Sequence, residues 1–428
     1  MQSPTRYQQT VRELSDRLVI AQADIRVLDA IKWDDAIEQQ FFADKCKNLP
    51  AVDAVYYNSR PLPYCAETKQ TELSELELDI KRQLGEYNPI AVIMRRMCRE
   101  YKVVVQMLTR RGTPGFSRKS RELYGSAEDV FHSGEPTLAD LGRMMSASLD
   151  SIEKRFPDMS EERTIPAEEA VGILQSRLDV SMPCPEHPLT VQMSDGIIAD
   201  AAAGADYIKL RSGAMFNQRD LRLLEVHEGW VHLGTTMNGH QQPYCTFLSK
   251  GPPSSTITQE GLAIFTELIT LSSYPERVRK VTNRILGVEM AEKGANFLEV
   301  FHFFLTQGYT EHDSYTLAVR IFRGSTPDGG PFTKDLSYSK GFVLVFNYIS
   351  VAVRRGLLDR IPMLFCGKAT LADLKTLRQA VDEGLVLPPK HIPTQFADGQ
   401  ALSAWLCYSN FLRRLDLKQI EADFEGIL

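Results

Sequence analysis

The stretch VHEGWVHLG, residues 226–234, places His227 and His232 five residues apart, with Glu228 directly after the first. Upstream, Asn217 is suited to cap a helix, and Asp220 three residues later favours its first turn. Leu221, Leu224 and Trp230 supply apolar positions, so the segment reads as a helix carrying His-Glu-x-x-x-His. Two neutral imidazoles are zinc ligands, and a glutamate beside the first is placed to take a proton from water. The spacing departs from the common HExxH pattern, whose histidines stand at i and i+4 on one face. At i and i+5, a regular α-helix turns the second histidine roughly 140° away from the first. A π-bulge, with its i→i+5 bonding, restores a shared face, and Gly229 makes the distortion less costly. A π-bulge is therefore expected between His227 and His232. The alternative is two unrelated histidines on a core helix.

A second segment, TQEGLAIFTEL at 258–268, reads as the start of another helix with Thr258 as N-cap. The Pro, Gly and Ser residues between 243 and 255 form a loop that reverses the chain, so this helix is expected to pack on the first. Gly261 and Ala263 are small enough for close approach. A carboxylate from Glu260 completes a His₂Glu set and leaves a fourth position open, which is the ligand pattern of catalytic zinc. The expected ligands of Zn²⁺ are thus His227, His232 and Glu260, with Glu228 as general base and then acid. Taken alone, Glu260 reads as a solvated acid near a helix start. Glu267 is either a partner for a ligating histidine or a surface carboxylate.

Outward from these segments, apolar spacing predicts helices over 7–32 and 72–111, the latter broken or kinked at Pro89. The loop-like FPDMSEERTIP, 156–166, is the expected domain boundary, followed by a helix to about 178. Short strands are expected at 189–193, 197–202 and 206–211, and the rest is again helical. The fold class is α+β: mainly helical with a small antiparallel sheet, as a helical amino-terminal region, 1–165, and a catalytic domain, 166–428. The strand at 206–211 is expected at a sheet edge, where it either pairs with extended substrate or simply ends the sheet.

Among 428 residues the formal net charge is −6, which gives no support to nucleic-acid binding. Seven cysteines, an odd number with no CxxC pair, argue against a disulfide framework and against a cysteine zinc cluster. The polar start lacks the apolar centre of a signal peptide, and no run reaches the ~18 apolar residues of a membrane span. A cytoplasmic location without membrane partners is expected. The basic residues between Arg95 and Arg121 are read as a solvated helix face.

HEGWVH followed by TQEGLA resembles the QEGLA-motif family, whose bacterial members carry the label flavohemoglobin expression-modulating. That family is related to eukaryotic microtubule-associated tyrosine carboxypeptidases, which remove the terminal tyrosine from tubulin tails. RIFRG at 320–324 and PFTKDLSYSKG at 331–341 extend the resemblance, which covers roughly 170–400. It implies a zincin-like catalytic part, His227, His232 and Glu260 as zinc ligands, and Glu228 as the catalytic glutamate. It also implies a carboxypeptidase, whose partner is the carboxyl-terminal tail of a peptide or protein. Such an enzyme needs an oxyanion donor, for which Tyr338 is the first candidate and His302 and Tyr315 are alternatives. It also needs a cation for the terminal carboxylate, for which Arg323 and Lys334 are the candidates. Arg323 is equally a helix C-terminal cation before Gly324, and Lys334 a surface lysine. Two competing readings are a non-catalytic regulatory protein that keeps the fold and a zinc amidase acting on a small molecule. The sequence does not fix the oligomeric state.

Overall fold

The computed structural model describes residues 4–156, 161–183, 189–197, 199–204 and 206–424. Residues 157–160, inside the expected boundary segment, fall outside these. The chain is mainly helical. The first long helix, Arg6–Ala21, opens with a capping box between Thr5 and Gln8 and buries Val11, Leu14, Leu18 and Ala21, one face of a 3.6-residue repeat. The expected 72–111 helix is two helices, Ala66–Leu84 and Pro89–Leu108. Pro89 is the first residue of the second, where its missing N–H costs nothing, and Asn88 caps it.

Five short strands make two small sheets: β1 Ile165–Pro166, β2 Thr190–Ser194, β3 Ala201–Ala203, β4 Tyr207–Arg211 and β5 Met215–Phe216. β1 pairs antiparallel with β5. The larger sheet has the order β2-β4-β3 and is mixed: β2 runs parallel to β4, and β3 antiparallel to it. The expectation of a purely antiparallel sheet is corrected here. The helix Ala167–Ser181 packs on β2, and Gln175 bonds the backbone of Leu189 and Val191, which supports the parallel register. β4 is the central strand, so the substrate-pairing edge expected at 206–211 is not an edge. Ile208 and Leu210 are fully buried on its inner face.

Three apolar cores surround the site. One joins the helices Arg6–Ala21, Ala66–Leu84 and Pro89–Leu108 to the helices Pro253–Ile269 and Ser337–Arg354, and so contains residues from both sides of position 165. A second is aromatic, with Trp33, Phe41 and Tyr57 against Phe297, Phe301 and Phe322. The third sets the small sheet and the Ala167–Ser181 helix against Leu221, Leu224 and Leu233. Val231 belongs to the first core and Leu233 to the third, so the metal-motif helix is gripped from two sides. Residues Thr333–Arg354 are long and apolar enough to cross a membrane by length and composition, but half of that apolar window is buried inside the fold.

Candidate metal centre and active site

The helix that begins at Gln218 has the expected capping box between Asn217 and Asp220. It then widens into a π-helix over Glu225–Leu233 and returns to α geometry over Gly234–His240. The π segment puts His227 and His232 on one face, with their rings 4.8 Å apart. Gly229 also packs closely: a Cβ there would lie 2.5 Å from Leu178 Cδ2, the end of a flexible side chain that would have to shift.

The second helix runs Pro253–Ile269. It starts five residues earlier than its predicted cap, with Pro253 at its first position, and Thr258 lies inside it. It packs against the π segment, as expected. Gly261, however, makes its close approach to Gly341 of the Ser337–Arg354 helix, where backbone meets backbone. That contact fixes the height at which the adjacent Glu260 enters the site.

Glu260 Oε2 lies 3.4 Å from His227 Nε2 and 3.5 Å from His232 Nε2, is buried, and makes no hydrogen bond. One ligand atom from each of the three residues falls within 4.8 Å of the others, so the group could hold a metal ion. Ligands about 2.0–2.2 Å from a tetrahedral ion stand roughly 3.3–3.6 Å apart, which the two carboxylate–imidazole distances match. Electrostatics point the same way. Burial opposes a charge on His227, yet Glu260, Glu267 and Glu228 outweigh it and hold its pKa up to about 10. Burial raises Glu260, but Lys334 and both imidazoles hold it well below the usual carboxylate range. A pocket that retains a proton so strongly is one that calls for positive charge.

His227 Nδ1 meets Glu267 Oε1 at 2.6 Å, which orients the ring and directs Nε2 at the site. Glu267 is fully buried and held by Arg277 at 2.9 Å. Burial raises its pKa, but Arg277 and His227 bring it down to about 2. Glu228 accepts the Ala203 N–H of β3 on Oε2 at 3.0 Å, and its Oε1 lies 4.0 Å from His227 Nε2. One carboxylate oxygen is thus anchored to a strand while the other faces the histidines.

On the far side, Tyr338 stacks on His227 with centroids 6.2 Å apart, and the guanidiniums of Arg284 and Arg277 lie 5.2 and 5.9 Å from its ring centre. Lys334 Nζ is 3.5 Å from Glu260 Oε1. Behind them Arg320 makes a two-pronged salt bridge to Asp335, at 2.7 Å on each prong. Arg284 and Arg323 are buried beside this pair with Arg284 Nε and Nη1 and Arg323 Nε lacking hydrogen-bond partners. Burial and neighbouring Arg320 push Arg323 down to about 10.

Over residues 39–414 the chain matches the family described as microtubule-associated tyrosine carboxypeptidase. This chain belongs to that family. A comparison with curated proteins finds no match. The family match covers both sides of position 165, as does the first core.

Of the residues singled out from the sequence, the structure brings together His227, Glu228, His232, Glu260, Glu267, Lys334 and Tyr338. Arg323 lies in the buried cationic group, beyond Tyr338. His302 and Tyr315 lie elsewhere: His302 bonds the Leu298 carbonyl on its own helix, and Tyr315 packs on Phe41 in the aromatic core. The basic run between Arg95 and Arg121 is in part a solvated face, with Arg99, Arg110, Arg118 and Arg121 exposed, and in part engaged in pairing. Arg96 is paired with Asp373, Arg99 and Lys102 with Glu77, and Arg111 with backbone carbonyls. Arg277, Arg284 and Lys368 were not anticipated. Arg277 and Arg284 share a helix face, but that spacing alone looks like any solvated pair.

Proposed function

We propose that this protein is a zinc-dependent carboxypeptidase that removes a residue from the carboxyl terminus of a peptide or protein tail in the cytoplasm. One observation carries the reading: two imidazoles converge on a buried carboxylate oxygen that has no hydrogen bond, 3.4 and 3.5 Å from it, with Glu228 beside them and buried guanidiniums that keep unbonded N–H groups behind. Family membership supports the choice of reaction. The free thiols of the six described cysteines support a reducing compartment.

His227, His232 and Glu260 would hold the ion, with His227 oriented by Glu267. When bound, zinc supplies Lewis acidity for polarising a carbonyl and acidifying water. Glu228, anchored by Ala203, receives the proton of the attacking water on its free oxygen and passes it to the departing amine. Tyr338, held by the His227 ring and two guanidiniums, donates its hydroxyl to the oxyanion. Lys334 and Arg323, joined by Arg284, hold the terminal carboxylate. The net positive charge left after Arg320 pairs with Asp335 attracts such a carboxylate, and excess cations buried this deeply need an anion.

The test is a peptide library incubated with metal-loaded protein and read by mass spectrometry, alongside Glu228→Gln. Loss of single carboxyl-terminal residues, reduced about 10²–10⁴-fold in Glu228→Gln at unchanged metal content, is expected. Internal cleavage, or no cleavage at full metal occupancy, overturns the reading.

A further inference from the structure

Lys368 is a lysine the chemistry above does not use, although it lies against the site. Its Nζ is 2.9 Å from the His232 carbonyl, 2.9 Å from Thr235 Oγ1 and 3.2 Å from Gln259 Oε1. An ammonium has three N–H donors, and here three acceptors receive them. None is left for a substrate. The acceptors are not scattered: His232 is in the ligand set, Thr235 is one turn beyond it, and Gln259 immediately precedes Glu260.

We infer that Lys368 is a positioning residue that fastens the end of the π segment to the Glu260 helix and so sets the separation of two members of the ligand set. This rests on the proposed metal site. The His232 carbonyl lies where the π segment gives way to α geometry, and side-chain donors add to the hold on it there. At that end the His232 carbonyl accepts from Thr236 Oγ1 at 2.8 Å as well as from Lys368. Thr235 Oγ1 and Gln259 Oε1, 2.7 Å apart, close the bridge between the two helices. The loop bearing Lys368 has no slack: the Lys368 N–H donates to the Leu248 carbonyl at 2.7 Å, and a Cβ on Gly367 would lie 2.7 Å from Leu248.

An electrostatic role predicts the opposite sign from a positional one. Lys368 is close enough to Glu260 and Glu228 to feel both charges. Any positive charge on Lys368 repels a divalent ion, so removing it on charge grounds alone would not weaken metal binding. If position dominates, Lys368→Met weakens binding about 10–100-fold, the usual cost of losing a group that orients a ligand.

The experiment measures Co²⁺ and Zn²⁺ affinity by chelator competition, and the visible absorption of the Co²⁺ form, for the full chain and for Lys368→Met. Weaker binding with a changed cobalt spectrum supports the inference; equal or tighter binding with an unchanged spectrum overturns it. Thr235→Val keeps the charge and shape but deletes one acceptor, and it decides the matter if Lys368→Met does not fold: weakened binding supports, wild-type binding overturns. If the unaltered protein binds neither ion, it is the metal-site reading that fails.

Discussion

Replacing Gly261 by alanine tests whether the ligand geometry is set by a helix crossing rather than by Glu260 alone. A Cβ at Gly261 would lie 2.5 Å from Gly341 Cα and closer still to the Gly341 carbonyl, and a Cβ at Gly341 would run into the Ile257 carbonyl oxygen. Both obstacles are backbone, so no rotamer change relieves them. The helices Pro253–Ile269 and Ser337–Arg354 would have to part by about 1 Å before the new methyl reached the ~3.0 Å floor seen for real Cβ contacts. Overpacking of this kind costs about 1–3 kcal/mol. In a chain this long that lowers the melting temperature by only about 1–3 °C, so thermal unfolding is a blunt readout. Metal affinity is the sharp one. Glu260 is the next residue on the same rigid helix, and metal–ligand distances tolerate only about ±0.2 Å. A displacement near 1 Å removes one of three protein ligands, and we expect at least a ~100-fold loss in zinc affinity by chelator competition. Gly172→Ala is the control: it is also helical, its added methyl meets nothing within 4 Å, and it should stabilise by up to about 1 kcal/mol. Wild-type affinity in Gly261→Ala would refute the argument that this crossing sets the site.

Removing metal by chelation should lower the melting temperature, because ion at a hundredfold excess over its Kd adds about 2.7 kcal/mol. Readdition should restore it, except in Glu260→Gln; an identical melting curve with and without chelator would count against a bound ion. Glu267→Gln, which weakens the hold on His227 Nδ1, should reduce metal affinity about 10–100-fold while Glu228→Gln leaves it unchanged. Asp335 supplies the pH dependence. Burial raises its pKa, but Arg320, Arg284 and Arg323 hold it far below the usual carboxylate range. A depressed folded-state pKa contributes stability that is complete above the unfolded value of about 3.9 and is lost as pH falls through the folded one. Asp335→Asn, which leaves buried guanidiniums uncompensated, should cost about 3–5 kcal/mol at pH 7. It should also flatten the decline of melting temperature on acidification below about pH 4; an unchanged slope would show that Asp335 is not the group responsible.

The metal helix was legible because its evidence is local. The five-residue spacing of His227 and His232 is incompatible with a regular helix around one ion, and the π segment follows from that geometry. The Asn217–Asp220 cap is equally local. Thr258 misled because a good capping residue is indistinguishable in sequence from a helix-interior threonine; Pro253, a strong first-turn residue, was the better signal. The small sheet went partly wrong for another reason. Strand positions come from residue alternation, but parallel or antiparallel pairing, and which strand is central, depend on how the Ala167–Ser181 helix carries the chain across β2.

What sequence could not supply is anything whose meaning lies in long-range partners. Lys368 reaches His232 across 136 positions, and Asp373 reaches Arg96 across 277. Read in order, each is one more charge in a chain of ordinary composition. The same limit explains the split among the cations near Tyr338. Lys334 was found through the PFTKDLSYSKG resemblance, whereas Arg284, 5.2 Å from the ring centre, lies in a stretch with no motif. Burial turns these unremarkable residues into informative ones. A guanidinium in water is satisfied wherever it lies, but one enclosed by the fold with free N–H groups must be accounted for by a partner. Glu260 Oε2 poses that question for a cation, and Arg284 and Arg323 pose it for an anion. The metal ion and the terminal carboxylate of the proposed reaction would answer both at once.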